Sequence, residues 1–209
     1  MTLSPQPPRP RKLPVQARSR ATFEAILEAA TRILQAGGHS AITTNLVAET
    51  AGISVGSLYQ YFPSKEAILS ELVTRMRLSM SERLADASLI AQDLPLRQAI
   101  PLLMEAAVHQ YATEPRLTAA LEEVEARLPR SPEVRAGRRK VRDALVACLD
   151  RRGVPGPQEA AIDISAMTRG IVMASVSAGS ADFDKVRKRI EWAALGYLAE
   201  RMGRTSDAL

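Results

Sequence analysis

The sequence predicts an all-α protein, with an N-terminal three-helix helix-turn-helix domain followed by a larger C-terminal helical domain. Three observations carry this expectation. Ala, Leu and Arg are abundant while aromatic residues make up 4% of the 209 residues, a balance that favours helices over sheets. Apolar residues recur at spacings of three and four from residue 17 almost to the end, as one face of a helix requires. Clusters of Gly and Pro cut this pattern into segments of helical length. Apolar residues at 46% and charged residues at 24% are ordinary for a globular chain with ample core.

Residues 1–16 hold Pro5, Pro7, Pro8, Pro10 and Pro14 beside Arg9, Arg11 and Lys12. Such a basic, proline-rich leader is expected to be disordered. The first helix covers 17–36, where Phe23, Ile26, Leu27, Ala30, Ile33 and Leu34 share a face and Gly37-Gly38 ends the run.

The next stretch, 44–62, reads as two short helices joined by a tight turn. Thr43 is placed to cap the first, with Leu46 and Val47 as its apolar anchors. Ala48 stands where two steeply crossing helices leave little room. Gly52 suits the left-handed conformation that ends a helix without a Cβ penalty. Ser54 can cap the second helix, and Leu58 and Phe62, four apart, share its buried side. Val55, Gly56, Ser57, Tyr59, Gln60 and Tyr61 are left on or near the other side. An ordinary helical hairpin meets the same packing rules. Two tyrosines and a glutamine facing outward on so short a helix need a use, and DNA is the natural one. Gly56 permits close backbone approach, and Ser57 and Gln60 can hydrogen-bond base edges. Tyr59 and Tyr61 can donate to phosphates or pack on thymine methyls and sugars.

Pro63 stops this helix, and Ser64 caps a fourth, about 65–87, whose repeat is Ile68, Leu69, Leu72, Met76 and Met80. Lys65 and the adjoining N–H groups are placed to hold one phosphate. Further helices are expected from Pro95 to Glu114, over 117–128, and over about 133–152. The run Arg135, Arg138, Arg139, Lys140 and Arg142 is assigned to a solvated face, as is the cluster Glu122, Glu123 and Glu125. Gly153-Val154-Pro155-Gly156-Pro157 breaks the chain before two last helices, about 158–179 and 183–202. The first of these is small and apolar around much of its circumference, which calls for a second burial surface. A two-fold partner subunit is the economical answer.

Charge follows the same division. The net charge is +5, and residues 1–65 hold seven Lys or Arg against three acids. The excess therefore lies on and before the helix-turn-helix, as an electrostatic footprint for DNA would. Arg9, Arg11 and Lys12 then read either as a basic arm that can follow phosphates or enter a minor groove, or as a solvated leader.

Thr43-Thr44, Val47-Ala48, Ala51-Gly52-Ile53-Ser54 and the run Gly56-Ser57-Leu58-Tyr59-Gln60-Tyr61-Phe62-Pro63-Ser64-Lys65-Glu66 resemble the signature of the TetR family of bacterial transcriptional regulators. The resemblance covers about residues 18–75. It implies a homodimer paired through the last two helices as an intersubunit four-helix bundle. It implies a small-molecule effector among the middle helices and a fourth helix that transmits its binding. Thr44, Gly56, Ser57, Tyr59, Gln60, Tyr61 and Lys65 match family positions that commonly meet DNA. With Thr43 and Val55 they form the expected DNA-binding set. Effector contacts vary within the family, and His109, Tyr111, Met104, Met167, Arg169 and Met173 are candidates only by their place.

The expected organisation is thus a tail over 1–16, a DNA-binding domain over 17–76, and an effector-binding and dimerisation domain over 77–209. The expected function is a ligand-responsive regulator, a repressor, that binds double-stranded palindromic operator DNA as a dimer and is released by its effector. No cofactor or metal is expected. The alternatives are an effector-independent architectural DNA-binding protein and a helical enzyme. Against the enzyme stand two histidines, His39 and His109, one cysteine, Cys148, and no nucleophile elbow, phosphate loop or metal-spaced ligand set. The proline-broken start does not read as a secretory signal. The longest apolar stretch, 160–178, contains Asp163 and Arg169 and does not read as a membrane span. The cytoplasm is the expected location.

Overall fold

The computed structural model describes residues 7–11, 16–179 and 182–203. Lys12, Pro5 and Pro14 of the basic leader and Ser180-Ala181 between the last two helices lie outside the described residues. Among the described residues the elements are α1 (Ala17–Gly37), a 3-10 turn (His39–Ala41), α2 (Thr44–Thr50), α3 (Val55–Tyr61) and α4 (Lys65–Ala91). They continue with α5 (Leu96–Thr113), α6 (Pro115–Arg127), α7 (Pro132–Asp150), α8 (Pro157–Ser177) and α9 (Phe183–Arg201). The all-helical expectation holds, and α4 runs four residues beyond its expected end.

The helices group into two compact units. One takes the chain up to Arg77 together with Arg116–Arg135, and the other takes Leu78–Pro115 with Ala136–Leu209. In the first, α1 packs on α2, and α2 on α3. Its core is Phe23, Ile26, Leu34, Ile42, Val47, Leu58, Phe62 and Ile68, all essentially inaccessible. The Phe23 and Phe62 rings stack with centroids 4.8 Å apart. This is the burial the three-and-four spacing requires.

Helix α6 belongs to this first unit, and of its acids Glu123 is exposed as expected while Glu122 and Glu125 are not on a solvated face. Glu125 is buried and accepts hydrogen bonds from Arg77 Nε at 2.7 Å and Nη2 at 2.5 Å. Arg77 also pairs with Glu122. A charged side chain that leaves water survives only with such partners. Sequence spacing alone does not separate a buried carboxylate from a solvated one.

In the second unit, α8 and α9 pack on one another and each on α5. Its core gathers Ile100, Leu103, Leu149, Ile164, Val172, Ile190 and Leu198. Tyr197 donates to Asp163 Oδ2 at 2.6 Å and accepts from Arg201 Nη1 at 2.8 Å, linking α9 to α8. Cys148 is buried, accepts from Arg152 at 3.0 Å, and has its thiol pushed up by burial, as expected of an inert structural cysteine. The outer side of this helix pair stays open. Ile162, Ala166, Gly170 and Ala174, each four residues after the last, are exposed on α8. Trp192 on α9 is 71% exposed, with Gly196 exposed four residues on.

Candidate nucleic-acid interface

Two side-chain caps set the geometry of the α2–α3 pair. The Thr43 hydroxyl accepts from the Leu46 N–H at 3.2 Å, and Ser54 Oγ accepts from the Ser57 N–H at 3.1 Å. Each satisfies a backbone donor that the first turn of a helix leaves free. Between the helices, Gly52 turns the chain at φ 67°, where a Cβ would be strained. Leu58 and Phe62 are both fully buried, which fixes how α3 is rotated.

One packing expectation fails. Leu46, read as an anchor of α2, is 38% exposed, and Val47 with Ala48 supplies the buried face instead. On a helix of seven residues only one narrow stripe faces the core, and adjacent residues lie about 100° apart. Leu46 therefore points outward when Val47 points in.

The nine candidate residues fall into distinct settings. Val55, Gly56, Tyr59 and Gln60 are exposed along one side of α3, and Thr43 is exposed at the start of α2. Tyr59 reaches back to Thr44, their hydroxyls 3.3 Å apart. Ser57 is half-buried and shares a 2.8 Å hydrogen bond with the Ser54 hydroxyl. Tyr61 is also half-buried, its ring meeting Phe23 edge-on with centroids 6.3 Å apart. It is thus partly a packing residue. Lys65 is half-buried with Nζ 3.5 Å from the Ile42 carbonyl, a long contact that leaves its charge largely unspent.

Gly56 is informative because nothing inside the protein requires it. Its backbone is ordinary helix, and a Cβ built there would meet only Ser54 Oγ, at 3.9 Å. A glycine inside a helix costs about 0.5–1 kcal/mol relative to alanine.

Sequence reasoning did not place two further groups here. Arg11 donates its backbone N–H to the Tyr61 carbonyl at 2.7 Å, and its guanidinium approaches the Tyr59 carbonyl at 3.5 Å. The leader, expected to be disordered, touches the end of α3 at this point. His39, in the turn before α2, pairs through Nδ1 with Glu123 at 3.2 Å, and its other ring nitrogen meets Arg127, both on α6. No pattern of spacing signals such contacts between distant parts of the chain.

Of the effector candidates, Met104 and Tyr111 are buried in the second unit, and His109, Met167 and Met173 are half-buried there. Arg169 is exposed. Met104 Sδ accepts from the Thr168 hydroxyl at 3.4 Å. Among the described residues no group of His, Cys, Asp and Glu could hold a metal ion. Within the same residues no helix is long and apolar enough to cross a membrane.

The family model for bacterial regulatory proteins of the tetR family matches residues 26–72, and the model for the tetracyclin repressor-like C-terminal domain matches residues 95–198. The chain belongs to the TetR family. Its similarity to the HTH-type transcriptional repressor KstR of Mycobacterium tuberculosis is 33% identity over 99 residues, 41% of this chain and 44% of that repressor. The matched stretch thus spans less than half the length of that relative. The fold is shared more widely. A protein of unknown function from Rhodococcus sp. RHA1 superposes with a TM-score of 0.70 at 19% identity, covering 86% of this chain and 94% of the other. SmeT, the repressor of the Stenotrophomonas maltophilia multidrug efflux pump SmeDEF, superposes with a TM-score of 0.63 at 23% identity, covering 86% and 91%. SmeT has also been solved as a complex with triclosan. For a TetR-family chain, α2 and α3 are the helix-turn-helix, and α3 is its recognition helix.

Proposed function

We propose that the protein is a ligand-responsive transcriptional repressor that binds a palindromic operator as a homodimer and leaves it when a small molecule binds. The observation that carries this reading is the exposed side of α3, where Gly56 has no internal use and Tyr59 and Gln60 stand clear of the core. A glycine kept at a cost on an otherwise polar helix face fits close approach to a nucleic-acid backbone. Gln60 offers the paired donor and acceptor that suit an adenine edge. Ser57 is the second base-edge candidate, and Thr43, Thr44, Val55, Tyr59, Tyr61 and Lys65 surround the pair as phosphate, sugar and methyl contacts.

The dimer reading rests on α8 and α9. Ile162, Ala166, Gly170 and Ala174 form an exposed apolar stripe on α8, and α9, which packs on α8, exposes Trp192. Packed against its own copy, this surface places two recognition helices about a two-fold axis, which a palindromic operator matches. KstR and SmeT are described as repressors, and SmeT takes triclosan. These facts support a repressor with an effector pocket in the second unit, working as a regulator rather than an enzyme and in the cytoplasm.

A footprint of the purified protein on DNA upstream of its own gene, across a salt series, tests the reading. A protected inverted repeat with steep salt dependence is expected. Salt-sensitive coating without a boundary would favour an architectural protein instead.

A further inference from the structure

The described part of the leader carries an arrangement that the repressor reading does not use. Arg11 is fixed to the carbonyls that end α3. Two residues before it, Arg9 Nη2 lies 3.4 Å from both carboxylate oxygens of Glu133. Pro7, Pro8 and Pro10 flank Arg9, and their fixed φ angles stiffen the strand. Glu133 sits in the first turn of α7, which Ser131 caps by accepting from the Val134 N–H at 3.1 Å. All of these residues belong to the first compact unit.

The Arg9–Glu133 pair is open to water, with the two side chains 55% and 49% exposed. An exposed pair of this kind is weak, and a phosphate competes well for a guanidinium because it offers shorter, charge-assisted hydrogen bonds. Arg11 holds the strand at the end of α3, two residues from Arg9. Glu133 is held ionised, its carboxyl kept below the usual range by its own backbone N–H and then by Ser131. It is a standing negative charge against the Arg9 guanidinium.

We propose that Arg9 is a DNA-phosphate contact and that Glu133 is an internal phosphate mimic which latches it in the free protein. Arg11 is the positioning residue of this arm. The inference rests on the reading of the first unit as a DNA-binding unit. On binding, Arg9 leaves Glu133 for the phosphate backbone, so the latch sets a threshold on affinity for any sequence.

The test is a double-mutant cycle between Glu133→Gln and Arg9→Gln in the full chain, using a labelled 40-base-pair duplex of mixed sequence at low salt. Both sites are exposed, so neither change threatens the fold. Arg9→Gln is expected to weaken binding and to lower the slope of log affinity against log salt by about 0.9. Glu133→Gln is expected to tighten binding by roughly two- to five-fold, the range set by exposed ion pairs. That gain should vanish in the Arg9→Gln background. A gain that persists there would mean Glu133 acts through its charge alone, and the latch would be wrong. An unchanged salt slope in Arg9→Gln would remove Arg9 as a phosphate contact. If the wild-type chain shows no salt-dependent binding at all, the DNA-binding reading itself fails, a result distinct from both.

Discussion

Arg77 on α4 donates to Glu125 on α6 through Nε at 2.7 Å, and the two residues are 9% and 4% exposed. Glu122 joins the same guanidinium, and Arg130 adds a bond to the other Glu125 oxygen at 3.3 Å. This is a buried charged cluster inside the unit that carries the recognition helix. It ties α6 to α4 by groups that demand one geometry, where an apolar contact would tolerate sliding.

Arg77→Ala should therefore cost about 3–5 kcal/mol, because it removes the guanidinium that bridges the buried Glu125 and the part-buried Glu122. Arg75→Ala is the control. Arg75 pairs with Glu24 at 2.5 Å and Glu71 at 3.1 Å on the surface, and exposed pairs are worth up to about 1 kcal/mol. Urea unfolding of the two variants measures the difference. Equal losses would mean the buried cluster is not a clamp.

Gly56→Ala should separate stability from function. With open space for the new methyl, the helix gains about 0.5–1 kcal/mol. On the proposed interface the same methyl would stand where DNA approaches, so affinity should fall at least several-fold. Thermal melting and a binding titration read the two effects. A variant that gains stability and binds DNA normally would remove Gly56 from the interface.

Much of this site was legible in the sequence, because short-range chemistry determines it. The caps at Thr43 and Ser54, the turn at Gly52, and the buried pair Leu58 and Phe62 each follow from a residue type at a fixed offset. The misreading of Leu46 came from assigning two adjacent apolar residues to one face of a short helix. Glu122 and Glu125 of α6, the His39 contacts and the docking of Arg11 were not legible. Each depends on which distant segment lands beside it, and no local spacing encodes that. On α8 the excess of small residues was legible, but not which of them face outward: Ala160, Ala161 and Ile164 are buried, while Gly170 and Ala174 lie on the exposed stripe.

Lys65 and Gln60 should fail in different ways. Lys65→Ala should weaken binding evenly across DNA sequences and lower the salt slope by about one, as loss of one phosphate contact does. Gln60→Ala should keep the slope and relax the preference for base sequence. Titrations of several duplexes at several salt concentrations distinguish them. A base-selective loss in Lys65→Ala would overturn these roles.

Acid sensitivity has a definite sign at Glu24. Its carboxyl is held below the ordinary 4.5, first by the hydrogen bond from Arg75, against desolvation and with added Coulomb attraction from the same guanidinium. A group whose folded pKa is depressed stabilises the fold above its unfolded pKa and loses that contribution as pH falls through the folded value. Glu24→Gln should thus lower the melting temperature slightly at pH 7, and the gap should close as pH drops below about 4. Melting curves at both pH values check this. A gap that widens in acid would contradict it.

Gly170→Arg should unmake the dimer without unmaking the fold. A Cβ at Gly170 meets nothing within 4 Å in the single chain, whereas a close-packed partner face would have no room for an arginine there. Sedimentation should show a monomer with unchanged helical content and weakened DNA binding. A dimer that persists would move the subunit contact away from this stripe.

The most direct test of the central claim is selection of bound duplexes from a random-sequence library by the purified full-length chain. Enrichment of two half-sites in inverted order is the predicted result, since it requires both a sequence-reading α3 and a two-fold dimer. Salt-dependent retention of DNA without any enriched sequence would contradict the account, leaving a protein that holds DNA by charge alone.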